Sequence, residues 1–149
     1  MYRLTGLFIF IGFMAMAGTV RSQVEDPGYA FEDFDNDGLF TAGVDQKLVL
    51  PENYNAKTKN GYISIWNSDA GWEAGAGIVI PQSVRRIDAG NLADGTAFVF
   101  IYTQGSLVIG PNVVVNAPFI DMEGTKGVQL KRGTVIRANR WDIGIGGEL

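Results

Sequence analysis

Short runs of alternating apolar and polar residues fill the chain after Asn60. The runs include "GYISIW", "TAFVFIY", "GSLVIG", "NVVVNA" and "GVQLKRG", and glycine, asparagine or proline bounds most of them. A period of two bounded by turn residues is the signal of a β-strand, and no run keeps the 3.6-residue period of an amphipathic helix over a useful length. The pattern therefore predicts an all-β chain. Apolar residues share a strand face in these pairs: Leu107 and Ile109, Val113 and Val115, Val128 and Leu130, and Ile143 and Ile145.

Two of these stretches match each other. "LVIGPNVVVNA" lies over "LKRGTVIRANR" in an alignment that places Leu107 on Leu130 and Asn116 on Asn139. A repeat of this length fits one coil of a parallel β-solenoid, in which each coil buries its face against the next. The alignment also predicts an interior ladder formed by the two asparagines.

The phrase "SLVIGPNVVVNA" resembles a motif of the right-handed parallel β-helix domains of secreted bacterial surface proteins. The resemblance covers about the last third of the chain and implies a repetitive structural or adhesive surface domain. A β-sandwich or jelly roll is the alternative, because the spacing of the strands also suits antiparallel hairpins. The segment 97–149 lacks a two-residue Asn-Gly or Asp-Gly turn, which favours the short solenoid.

The stretch 1–22 predicts a signal peptide. Arg3 precedes an apolar run over residues 4–17, and the small residues Val20 and Ser22 fit cleavage before Gln23. An uncleaved anchor is the alternative. We expect a signal peptide at 1–22, an N-terminal segment at 23–59 and a solenoid-like domain at 60–149. The processed chain would have no transmembrane span and would be secreted, or held at the bacterial surface or in the periplasm.

The composition narrows the chemistry. The chain has neither histidine nor cysteine, which excludes Ser-His-Asp catalysis, thiol nucleophiles, disulfides and His- or Cys-ligated zinc. Loss of the stretch 1–22 would remove Arg3 and Arg21, leaving 10 basic residues against 16 acidic, a net charge of −6. Such a chain is not expected to bind nucleic acid.

An acidic loop, "DFDNDG", suggests a metal site. Asp33, Asp35 and Asp37 stand two apart before Gly38 and resemble the DxDxDG calcium loops of extracellular bacterial proteins, including dockerin-type loops. The EF-hand order of ligands adds the following residues to the three aspartates: the Leu39 carbonyl, Thr41, and Asp45, which stands one place beyond the expected position 12, occupied by Val44.

The residues around this loop do not predict a helix on either side, because Pro27, Gly28 and Pro51 interrupt both flanks. We therefore expect Ca²⁺ to bind as a staple between extended segments. The alternative is a solvated acidic turn without an ion. Three carboxylates this close repel one another unless a cation offsets their charge.

Exposed aromatic residues would suggest a ligand. Tyr62, Trp66 and Trp72 lie in "GYISIWNSDAGW", and sugar rings stack on exposed aromatic side chains. The competing interpretation is that these residues cover the end of the β core.

Catalytic residues are scarce, and we expect no enzymatic activity. Asp121 and Glu123 alternate on one strand face, and four cations follow; a β-helix polysaccharide lyase would use the acids for calcium and one cation as base. We favour the interpretation that all of them are solvent-facing residues, because charged outward positions are the default on a strand. These cations are Lys131, Arg132, Arg137 and Arg140.

The sequence thus predicts an exported structural or adhesive β-domain that acts through its surfaces. The run "TAFVFIY" is apolar on both faces, and "DIGIGGEL" ends without a polar cap, so we expect self-association or a fragment of a longer repeat protein. A carbohydrate-binding module is the alternative, with a polysaccharide lyase or hydrolase third. The expected partners are another copy of the chain or a cell-surface polysaccharide.

Overall fold

The computed structural model describes residues 21–93 and 95–146. The signal peptide prediction falls almost wholly outside the described residues. One six-residue helix, α1 (Asp69–Ala74), and a 3-10 turn at Gln82–Val84 accompany the strands. The strands are β1 (Gln23–Val24), β2 (Phe31–Asp33), β3 (Phe40–Thr41), β4 (Gln46–Lys47), β5 (Tyr62–Trp66), β6 (Gly77–Ile80), β7 (Arg86–Asp88), β8 (Phe98–Thr103), β9 (Ser106–Ile109), β10 (Val114–Asn116), β11 (Phe119–Gly124), β12 (Gly127–Leu130), β13 (Val135–Arg137) and β14 (Arg140–Ile145).

In the described part of the chain the strands form four small sheets. Their orders are β14-β11-β8-β5, β13-β10-β7, β12-β9-β6-β2-β4 and β1-β3. The first two are parallel, the third is mixed because β2 pairs antiparallel with both β4 and β6, and the fourth is antiparallel. Strands hold 42% of the described residues and helix 7%, which confirms the all-β prediction.

The prediction of a short parallel β-solenoid over residues 60–149 is wrong in the form in which the sequence suggested it. The sheets are several and small, the largest is mixed, and two of its strands come from the N-terminal segment, so no separate regular coil begins at residue 60. Like a β-sandwich, the alternative predicted from the sequence, the structure has sheets that face a common core. It differs from a sandwich in that the pairs within residues 62–145 are parallel.

The predicted repeat alignment and the asparagine ladder are also wrong. Leu107 pairs with Val128 and not with Leu130, and Asn116 pairs with Arg137 and not with Asn139. The Asn116 amide instead donates to Asp88 Oδ1 at 2.8 Å. Asn139 donates to the Leu92 carbonyl oxygen at 2.7 Å. A one-dimensional match of leucine to leucine ignores which residues face inward, and inward packing sets the register.

The larger of two apolar clusters in the described residues is the core that lies between the sheets. Alternate residues of β5, β8 and β11 point into it, where they meet apolar residues of β6, β9 and β10. In-register neighbours repeat the same inward position, as Ile65, Ile101 and Met122 do. Leu48, Leu50 and Tyr54 of the N-terminal segment pack against this core, so the segment is part of the same folded unit.

Among the described residues no helix is long or apolar enough to cross a membrane. Within residues 21–93 and 95–146, the last strands of three sheets, β12, β13 and β14, have one unpaired edge each. Some of their apolar side chains are exposed, with Ile145 at 74% and Leu130 at 44%.

Truncation to alanine should lower stability far more at an inward-facing position of the sheet than at an exposed one. We expect Ile101→Ala to lower the free energy of unfolding by about 2–5 kcal/mol, because Ile101 is fully buried between Ile65 and Met122. Ile145→Ala, at an exposed position, should change it by less than about 0.5 kcal/mol. Urea unfolding followed by circular dichroism measures both, and equal effects would contradict this description of the core.

Candidate functional site

A continuous patch of aromatic rings lies on the β8 and β5 side of the outer face of the β14-β11-β8-β5 sheet. Strand alternation turns Val99 and Ile101 inward, so the intervening side chains of β8 point outward. Register then places Tyr62 beside Phe98 and Trp66 beside Tyr102. We call this patch the aromatic face; its members are Tyr62, Trp66, Trp72, Phe98, Phe100 and Tyr102.

The rings of the aromatic face lie close together. Tyr62 and Phe98 are 5.7 Å apart between ring centroids with planes 14° apart, and Phe100 and Tyr102 are 6.3 Å apart with planes 1° apart. Trp66 lies 4.9 Å from Phe100 and 5.9 Å from Tyr102. Tyr62 is 58% exposed and Trp66 46%. These two rings therefore remain available to a ligand, and they do not cover the end of the core.

Trp72 reaches the same patch from helix α1. Its ring centroid is 5.5 Å from that of Tyr102, and its side chain is 41% exposed. The helix begins at Ser68, whose hydroxyl accepts a hydrogen bond from Gly71 N–H at 3.1 Å, and ends at Gly75 with a φ of 66°. A serine N-cap is a usual start signal of a helix and a left-handed glycine is a usual stop signal, so both ends of the short helix that carries Trp72 are defined.

The buried carboxylate of Glu32 fixes the start of this helix. It accepts hydrogen bonds from Ser68 N–H and Ser68 Oγ, both at 2.6 Å, and from the Asn67 amide at 3.2 Å. A side chain at Gly71 would collide with the same carboxylate. The sequence did not single out Glu32, because its partners lie far along the chain in the segment that leads into the helix.

Carboxylates border the aromatic face on its other side. In-register pairing places Asp121 beside Phe100, Asp142 beside Asp121, and Glu123 beside Tyr102. Burial, and then the charge of Asp142, raise the pKa of Asp121; burial, then the charges of Asp121 and Asp142, raise the pKa of Glu123. These three residues form the acidic strip. Sequence analysis noted Asp121 and Glu123 but missed Asp142, since only the register brings it to them.

The four cations considered for a lyase do not all lie near Asp121 and Glu123. Arg140 lies on the same sheet, in register with Phe119. Arg137 belongs to β13 in another sheet, and Lys131 follows β12 and lines a groove on a third. Arg132 stands next to Lys131 in the chain. Of the four cations, the sheet therefore brings Arg140 alone to the face that carries Asp121 and Glu123.

The predicted metal loop brings its three aspartates together. One oxygen from each of Asp33, Asp35 and Asp37 lies within 4.8 Å of the others. Asp33 is fully buried, and its carboxylate accepts hydrogen bonds from Gly38 N–H at 2.8 Å and Asp37 N–H at 3.3 Å. Burial, aided by a hydrogen bond that the protonated Asp33 donates to Asp35 and by the charges of Asp45 and Asp35, raises the pKa of Asp33 to about 6.

The other predicted ligands have different roles in the loop. Asp45 accepts hydrogen bonds from Phe34 N–H at 2.8 Å and Thr41 N–H at 2.6 Å, so it closes the loop from outside the aspartate group. Thr41 Oγ1 accepts from Gln23 at 3.4 Å. Leu39 N–H donates to Asp37. The three aspartates are therefore the residues best placed to hold a cation.

Asn36 connects the aspartate loop to the aromatic face. Its amide donates to the Gly75 carbonyl at the end of helix α1 at 3.2 Å, and its Oδ1 accepts from Ser106 N–H at 3.0 Å. Asn36 has a φ of 57°, a conformation that asparagine tolerates better than most residues. Loop and helix thus share a hydrogen bond, and Trp72 lies on that helix.

No family model, curated protein or solved structure matches this chain. Any function of the protein must therefore be inferred from the geometry of these surfaces.

The raised pKa of Asp33 predicts a pH dependence when no divalent cation is present. The folded state holds the Asp33 proton more tightly than the unfolded state does, so its contribution to stability is full below about pH 4 and is lost as the pH rises through about 6. We expect a loss of at most about 3 kcal/mol.

Thermal melting with a chelator between pH 4 and pH 7 measures this effect. Asp33→Asn should flatten the decline relative to the unmodified protein. The comparison is of slopes, because asparagine loses one hydrogen-bond acceptor at every pH. Identical slopes would show that Asp33 does not titrate in this range.

Proposed function

We propose that the protein is a carbohydrate-binding module whose ligand stacks on the aromatic face. The observation that supports this function is a patch of six neighbouring rings on the outer side of a sheet, with the apolar core on the other side. Aromatic rings with a large exposed area are costly in water and are commonly retained as binding surfaces. Sugars present both apolar C–H faces and hydroxyl groups.

The adjoining carboxylates suit the hydroxyl groups of such a ligand. Asp121 and Glu123 stand directly beside Phe100 and Tyr102, so a sugar ring lying on an aromatic side chain would place its hydroxyls within their reach. Ionised carboxylates are acceptors, and hydroxyls are donors. Export to the bacterial surface or periplasm, proposed from the N-terminal sequence, would bring the chain to such polysaccharides.

The aspartate loop is proposed to bind Ca²⁺ as a structural ion. Calcium prefers oxygen ligands, and the loop offers three carboxylates whose mutual repulsion an ion would remove. Through Asn36 the ion would also hold the end of the helix that carries Trp72. Calcium is thus assigned to stability and positioning, with no catalytic step.

Self-association, the other role expected from the sequence, stays a prediction. The unpaired edges of β12, β13 and β14 are the surfaces on which it would depend, since parallel edges expose unpaired backbone groups.

Loss of a tryptophan should weaken glycan binding. We expect Trp66→Ala and Trp72→Ala each to reduce affinity by roughly tenfold or more, because each removes a large stacking surface. Binding isotherms on insoluble cellulose and chitin measure this. Leu130→Ala is the matched control, since Leu130 is 44% exposed, close to the value for Trp66, and lies on a different sheet. Failure to bind any polysaccharide, or equal loss in the control, would refute the proposed function.

Calcium should raise the melting temperature. With an incomplete ligand set we expect a dissociation constant on the order of 10⁻⁴–10⁻³ M, so tenfold excess over that constant stabilises the fold by about 1.4 kcal/mol. Asp35→Asn should abolish most of this gain. Glu52→Gln, an exposed acid outside the loop, serves as the control. Melting that is indifferent to millimolar calcium would show that the loop is an acidic turn.

A further inference from the structure

We propose that the glycan is cationic, an inference that rests on the proposed function. The ligand would be a polymer of an amino sugar whose amino groups are free and protonated. The aromatic face and the acidic strip share one sheet surface, in which Phe100, Asp121 and Asp142 are in-register neighbours on three successive strands. A ligand that lies on the rings therefore meets carboxylates at its edge.

The acidic strip is not neutralised within the protein. Among the residues that the structure describes, Asp121, Glu123 and Asp142 form no ion pair, and Asp121 Oδ1 is shielded from solvent without a hydrogen-bond donor. Like charges directly opposite each other on neighbouring strands destabilise a sheet. The nearest in-register cation on this face, Arg140, stands two positions before Asp142 on β14 and beside Phe119. An ammonium group of a ligand would supply the missing counter-charge and donor.

The aromatic rings favour the same charge. A cation near the face of a tryptophan or tyrosine is attracted by the ring quadrupole. Trp66, Trp72 and Tyr102 form one cluster with centroids 5.5 to 6.4 Å apart, and Glu123 is the in-register neighbour of Tyr102. Rings and carboxylates thus attract a cation from adjacent positions. A polyanionic glycan would instead place its carboxylates or sulfates against the strip.

A depression at the border of the two surfaces has the size for such a group. It measures about 420 Å³, and its lining combines apolar and charged side chains: Phe98, Phe119, Ile120, Asp121, Arg140, Trp141 and Asp142. Ligand sites commonly range from about 300 to 1,000 Å³. Burial and the charge of Asp142 raise the pKa of Asp121, as expected of a carboxylate that lacks its counter-ion.

The experiment compares two polymers that differ in one group. Isothermal titration of the full chain with soluble chitosan oligomers, and with the same oligomers after N-acetylation, varies charge while the sugar ring is kept. In a low-salt buffer in which the amines are protonated we expect chitosan to bind at least tenfold more tightly, with a preference that falls as salt is added. The double variant Asp121→Asn/Asp142→Asn should lose that preference and retain binding of the acetylated oligomers.

Glu25→Gln is the control, because it removes one exposed charge at a groove on a different sheet and should leave the preference unchanged. If the Glu25→Gln variant loses its preference for chitosan as far as the double variant does, the effect is one of general charge and the inference is overturned. Equal binding of both oligomers, or a preference that survives in a double variant with an unchanged melting curve, would overturn the inference and leave the proposed function standing. Absence of binding to chitosan, acetylated oligomers and cellulose alike would refute both.

Discussion

The in-register parallel pairing of β8 with β5 and β11 is the constraint on which the rest of the structure depends. It repeats each inward position on neighbouring strands, so Ile65, Ile101 and Met122 form one layer of core. Because side chains alternate, the same pairing must repeat the outward positions too. A slip of one residue would place the aromatic rings in the core and the aliphatic side chains in solvent. The core and the aromatic face are therefore two consequences of one register.

Polar side chains, one buried and one partly buried, then connect the N-terminal segment to that surface. Glu32 and Asn36 stand at the two ends of the same short stretch of chain, and they bond the two ends of helix α1. A six-residue helix has little stability of its own, because most of its hydrogen-bonding groups are terminal. Its position is consequently set by these side chains, and Trp72 reaches the aromatic face because of them. These hydrogen bonds connect an acidic loop that is distant in sequence to the aromatic face.

The acidic strip lowers the stability of an otherwise regular sheet, because carboxylates on neighbouring strands repel one another. Asp121 and Asp142 occupy equivalent positions on neighbouring strands, where an aromatic or small side chain would avoid the repulsion. Costly polar arrangements that packing does not require tend to occur at functional sites. Their position beside the rings, and not elsewhere on the fold, is what connects them with ligand binding.

The sequence by itself determined that the chain is all-β, which residues share a face in several strands after Asn60, and the grouping of Asp33, Asp35 and Asp37, because these depend on alternate positions in the chain. It also identified Tyr62, Trp66 and Trp72 as candidate contacts. Tertiary structure alone decided the register, the mixed sheet and the joining of residues 23–59 to the core. It also decided that Asp142 lies beside Asp121 and Glu32 beside Ser68. Those contacts join residues that are distant in the chain, and strand alternation leaves several alignments equally apolar, so the best-packed core selects among them.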